Sequence, residues 1–168
     1  MRRNLNLIFG GLLFVLLQML VAPRISIGEI GPDFMLLLVV YISLQKKTEY
    51  ATIAGFSIGF FQDLFNPELL GLNALTKAIV GYGVSAISTK TEPDSAPVLF
   101  AIITAVAVIN DFVYLLFFTG LDLGRFFILL GTVSVPSALY TALMGVAVYK
   151  AAEAFGSKAV GSFGKARP

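Results

Sequence analysis

The sequence predicts an all-helical integral membrane bundle, and three observations predict it. Charged residues make up only 13% of the chain and hydrophobic residues 57%, with a mean hydropathy of +0.87. A soluble domain of 168 residues would need far more polar surface. Six apolar stretches alternate with short polar turns, and helices are the usual way for such stretches to satisfy their backbone in lipid. The basic residues, finally, collect on alternate turns and therefore on one side.

The first stretch runs from about Leu5 to Val21 behind Arg2 and Arg3. Its basic start is that of a signal peptide, but the apolar run is long and no small-x-small cleavage site follows, so it reads as a retained span. The second opens at Gly31-Pro32-Asp33 and runs to about Leu44. Pro suits a first helical turn, where its missing N–H would be unpaired, and Asp suits the positive end of the helix dipole. This span is short for a bilayer.

The third runs from about Tyr50 to Phe65 and stops before Asn66-Pro67, because a residue preceding Pro avoids helical angles. Asn73, a favourable N-cap, starts the fourth, which ends near Ser88. The fifth covers about Pro97 to Phe118 and the sixth Arg125 to about Ala152. Residues 1–152 thus form one six-helix domain, and residues 153–168, rich in Gly, Ser, Ala and Lys, form a flexible cytoplasmic tail.

An even span number puts both termini on one side. With the N-terminus inside, nine of the twelve basic residues are cytoplasmic: Arg2, Arg3, Lys46, Lys47, Lys90, Lys150, Lys158, Lys165 and Arg167. Arg24 and Arg125 fall outside, and Lys77 lies within a span. The bias predicts an N-in, C-in topology. No internal repeat is evident.

The absence of Cys and His excludes disulfides, thiol nucleophiles, imidazole bases and His-based metal sites. There is no Gly-rich nucleotide loop, no serine–lysine constellation and no basic-aromatic stripe for nucleic acid. Two intramembrane aspartates could suggest an aspartic protease, but Phe-Gln-Asp63 and Ile-Asn-Asp111 lack the Gly-x-Gly-Asp setting that reading needs. No cofactor and no catalytic residue is expected.

Four features remain. Ala51, Gly55 and Gly59 recur every fourth residue on the third helix and form a flat strip, which either packs inside the bundle or receives a helix of another protein. Ala101/Ala105 and Ala138/Ala142 repeat the pattern less specifically. Asp63 and Lys77 flank the turn between helices three and four at similar depth. They could pair, or Lys77 could snorkel outward while Asp63 caps the turn.

Asn110-Asp111 lies deeper, about 10 Å below the outer end of its helix. A short carboxylate cannot snorkel, so Asp111 faces the interior and either binds a cation such as Lys77 or carries a proton. Gln62, Asn73 and Thr76 could supply further hydrogen bonds to a buried polar cluster of Asp63, Lys77, Asn110 and Asp111. Such a cluster is either a clasp that fixes helix register or a substrate or proton site. Pro136 interrupts the sixth helix and frees the carbonyl of Thr132, so a kink is expected there.

Gly31-Pro32-Asp33, Tyr41, Gly55, Gly59, Asp63, Gly71 and Gly81-Tyr82, in that order, with Asp111 in span five and Pro136 in span six, resemble the rod shape-determining protein MreD family. The resemblance covers about residues 1–150 and is most specific over 31–82; Lys77 lies outside its pattern. It implies a non-enzymatic part of the bacterial elongation machinery in the inner membrane. The expected partners are MreC, a single-span protein with a periplasmic domain, and, through the complex, actin-like MreB and the RodA glycosyltransferase with its transpeptidase. These would act in cell shape and lateral peptidoglycan synthesis, with the lipid bilayer as solvent and room for a homodimer within the complex with MreC.

The resemblance also implies a compact bundle similar to the substrate-binding membrane subunits of vitamin (ECF-type) transporters. A small-molecule binding subunit is therefore the alternative function. Such a subunit needs aromatic and polar side chains around an outer cavity, where the sequence offers few.

Overall fold

The computed structural model describes residues 11, 13–45, 47–65, 69–88 and 95–154. These form six helical rods and no β-sheet; an isolated bridge between Ile27 and Ile30 closes one turn. Helix α1 covers Leu13–Ile25, with a π turn at Leu17–Val21. Then follow α2 (Phe34–Gln45), α3 (Thr48–Asp63), α4 (Leu72–Ser88) and α5 (Ala96–Phe118). The last rod, α6, is helical at Leu123–Leu129, passes through a π turn at Leu130–Ser134, and continues as Val135–Ala154. Arg2, Arg3, Lys46, Asn66, Pro67, Lys90, the start of the first span and residues 155–168 of the tail lie outside the described residues.

Helix α1 continues to Ile25, four residues beyond the expected end at Val21. Pro23 occupies the first turn after the π segment, where its missing N–H is harmless. Arg24 then donates to the carbonyl of Leu20 in the last turn. Helix α2 begins one residue after Asp33, so Pro32 lies before the helix and not in its first turn. Asp33 is its cap: Oδ1 accepts from Leu36 N–H at 2.8 Å. Gln18 of α1 accepts from Phe34 N–H at 2.7 Å and satisfies another of the free donors at that end.

Helix α2 is the centre of the bundle. Seven successive residues, Phe34 to Val40, are buried, so it is enclosed on all sides and needs no polar face. It packs on α3, α4, α5, α6 and the π turn of α1. At about 18 Å (twelve residues at 1.5 Å rise) it is shorter than a hydrocarbon core.

The most intimate pair is α3 with α4, and glycine explains it. A Cβ on Gly55 would fall on the Lys77 carbonyl, one on Gly59 on the Asn73 carbonyl, and one on Gly81 on the Ala51 carbonyl. Backbone meets backbone along the whole strip, which only glycine permits.

Two rods, Ala96–Phe118 and Leu123–Ala151, are long and apolar enough to cross a membrane. Leu13–Ile25, Phe34–Gln45 and Leu72–Ile87 are shorter apolar helices. α5 packs on α6. Ala138 and Ala142 are buried, and a Cβ at Gly145 would strike Ile103 and Leu37, so the small residues of α6 do face the bundle. Ala101 and Ala105 of α5 point outward instead. The helix pattern alone could not tell which side of α5 carries the contact, because both sides are apolar.

Candidate functional site

The polar groups gather at the end of the bundle where α3 stops and α2 and α4 start. Asp63 is the last residue of α3 and is only 1% exposed. Its carboxylate accepts from Gly71 N–H at 2.9 Å, Ala74 N–H at 3.0 Å and Asn73 at both its backbone N–H (3.1 Å) and its side-chain amide (3.0 Å). It caps the next helix from the end of the previous one. The free N–H groups and the positive dipole end of α4 supply what a buried carboxylate needs. Gly71 reaches this position with φ +96°, a conformation costly for any residue with a Cβ. Asn73, expected as the N-cap, is a donor to the cap instead.

Asp63 and Lys77 are therefore not an ion pair. Lys77 is 0% exposed, and its ammonium binds Asp33 Oδ2 at 3.0 Å and Asn73 Oδ1 at 3.4 Å. Helical side chains lean toward the N-terminus, which carries the long Lys77 stem up α4 to the capping carboxylate of α2. It does not snorkel outward. Asp33, whose side chain is 27% exposed, thus joins α2 to α4, and its N–H donates to Thr141 Oγ1 of α6 at 3.0 Å. Asp33 opens a helix in the sequence pattern, and that role alone gave no sign of a lysine partner 44 positions away.

Asp111 does not meet Lys77 either. It accepts from its neighbour Asn110 at 3.1 Å and faces the hydroxyl of Ser134, which is buried on the π turn of α6. Asn110 Oδ1 and Gln62 Oε1 are buried with no hydrogen-bond partner among the described residues. Thr76 bonds the Asn73 carbonyl at 3.2 Å and so stays within α4. The expected cluster is therefore two sites: the Asp63 cap with Asn73, and an Asp33–Lys77 pair that shares a cavity with Asp111.

That cavity measures about 230 Å³ and lies between the start of α2, the middle of α5 and the π-turn region of α6. Asp33, Asp111, Tyr114, Ser134, Ser137 and Thr141 form its polar wall, with Glu29 at the turn before α2. Among the described residues no three metal-ligating side chains come together.

Pro136 sits two residues beyond the π turn. Val135 N–H reaches back to the Leu130 carbonyl, a wider ring than the α-helical one. The helix accommodates Pro136 through this turn, and the wider turn carries Ser134 and Ser137 to the cavity wall. Spacing alone could not reveal the hydroxyls of the cavity, because a π turn shifts every following residue around the helix.

Ala51, Gly55 and Gly59 are buried beneath α4. The strip is an intramolecular packing surface, and a partner helix cannot reach it.

Comparison with curated proteins and with solved structures finds no match. The family model for the rod shape-determining protein MreD matches residues 1–155. A buried Gly55/Gly59 strip, a capping Asp63 and a helix interrupted at Pro136 all fall within that match. The chain belongs to the rod shape-determining protein MreD family and has a role in rod shape determination.

Proposed function

We propose that this protein is a non-enzymatic, six-span scaffold of the bacterial inner membrane, with both termini cytoplasmic. It holds the membrane helix of MreC and, through that complex, acts with MreB and the RodA–transpeptidase pair in lateral peptidoglycan synthesis. The observation that carries this reading is the family match over residues 1–155.

The surface supports membrane immersion. Only 28% of the most apolar window of each long rod is buried, whereas a core helix of a soluble protein would be mostly enclosed. Ile53, Phe56 and Phe60 on α3, Ile79 and Tyr82 on α4, and Leu139 and Leu143 on α6 are all exposed. In water such continuous apolar faces would aggregate; in lipid they are solvated. With the glycine strip closed, MreC is left with outward faces of this kind, the α3 face adjoining the strip among them.

The cavity of about 230 Å³ is below the ~300–1,000 Å³ common for drug-sized ligands, which gives a vitamin-sized substrate no support. Purification from native membranes, with mass spectrometry of proteins and small molecules together, tests the scaffold reading. MreC should co-purify in a fixed ratio, and the mass of the complex shows whether one or two copies of this chain are present. A folded protein that never retains MreC would overturn the proposal.

A further inference from the structure

The cavity between α2, α5 and α6 has a charge balance that the scaffold reading does not explain. Its wall holds three carboxyl side chains, Glu29, Asp33 and Asp111. Asp33 already has a cation: Lys77 occupies one oxygen and Leu36 N–H the other. Lys77 is in turn enclosed between Asp33 and Asn73. Among the described residues the hydrogen-bond donors to Asp111 are the neutral groups of Asn110 and Ser134, and a carboxylate offers about four lone-pair sites. Among the described residues Lys77–Asp33 is the one ion pair; Lys77 is near enough to act on Asp111 electrostatically but is bonded to Asp33, so neither Asp111 nor Glu29 has a cation in direct contact there.

Hydroxyl oxygens complete the polar lining of the cavity. The π turn presents Ser134, Ser137 follows three residues later in the α-helical part of α6, and Tyr114 lies on α5 about one turn from Asp111. A π turn replaces an ordinary α turn at a cost in hydrogen-bond geometry, and such turns recur at functional sites. The space exceeds the ~30 Å³ share of one water several-fold and suits a small head group.

We propose that this cavity binds a primary ammonium group, held by Asp111 and the hydroxyls of Ser134, Ser137 and Tyr114, with Glu29 at the mouth. Three N–H donors radiating from one nitrogen match acceptors spread around a small space. A planar guanidinium fork calls for a bidentate carboxylate, whereas Asp111 Oδ1 already accepts from Asn110; a quaternary ammonium calls for an aromatic cage, whereas among the described residues Tyr114 is the one aromatic ring lining the cavity. The ammonium could belong to an aminolipid head group or to a free amine, and the inference is independent of MreC binding.

Thermal unfolding of the purified full-length protein in detergent, with ethylammonium or tetramethylammonium chloride at equal concentration, tests it. Ethylammonium should raise Tm by about 3 °C more than tetramethylammonium, which has the charge but no N–H donor. Asp111→Asn should abolish that difference, and Glu29→Gln, at an exposed position, should raise the concentration needed by about threefold. Nanodiscs of phosphatidylethanolamine with phosphatidylglycerol, compared with phosphatidylcholine in its place, test a lipid source. A response in the nanodiscs alone assigns the site to a lipid head group, and a response to ethylammonium assigns it to any accessible amine. Equal responses to both cations together with no lipid preference would overturn the proposal, as would a full response in Asp111→Asn. Should Asp111→Asn not fold, the wild-type comparison and Glu29→Gln still decide.

Discussion

Lys77 Nζ lies 3.0 Å from Asp33 Oδ2, and this pair ties the start of the central helix to α4. The lysine is wholly buried while the carboxylate keeps partial contact with the surroundings, so the two ends of the pair are not equivalent. Removing Asp33 leaves a buried cation whose remaining hydrogen-bond partner among the described residues is Asn73 at 3.4 Å. Removing Lys77 leaves a carboxylate that still accepts from Leu36 N–H. Asp33→Ala should therefore cost more stability than Lys77→Met. About 3 kcal/mol against about 1–2 kcal/mol is the expected order. Thermal or denaturant unfolding in detergent reads this, and the double variant should cost less than the sum. Strict additivity would show that the two residues do not interact.

Asp63 should be the more local device. Asp63→Ala removes an acceptor from three backbone N–H groups and should cost about 2 kcal/mol, while Asp63→Asn should retain part of that. Hydrogen exchange resolves the effect by position: amides of Gly71, Asn73 and Ala74 should exchange faster in Asp63→Ala, with the middle of α2 unchanged. Uniform acceleration across the bundle would point to a global role instead.

Gly55→Ile and Gly59→Ile place branched side chains against the backbone of α4. A backbone carbonyl cannot rotate away as a flexible side chain can, so each change should lower stability by about 3 kcal/mol or more. MreC retention should fall only in step with the loss of folded protein. Full stability in either variant would contradict the observed helix approach.

Topology can be read independently of stability. A fluorescent reporter active only in the cytoplasm, fused at Pro168, should be bright, and a periplasm-dependent reporter there should be silent. The reverse pattern would end the six-span, N-in, C-in arrangement.

The sequence by itself determined where helices form. The ends of α3, α4 and α5 fall within about two residues of where Pro, Asn and turn chemistry put them, because local preference acts over only a few residues. It also identified the glycines that allow close approach, since a repeat of small residues every fourth position has few other uses in a helix. Tertiary structure decided the partners. Asp63 took the nearby free N–H groups of α4 and left Lys77 to Asp33, a choice set by the rotation of three helices about their axes. The same packing closed the Gly55–Gly59 strip with α4 and, through a π turn before Pro136, carried Ser134 and Ser137 to a cavity beside Asp111. Helix rotation and a one-residue change of register leave no mark on an apolar sequence, because every face of such a helix reads alike.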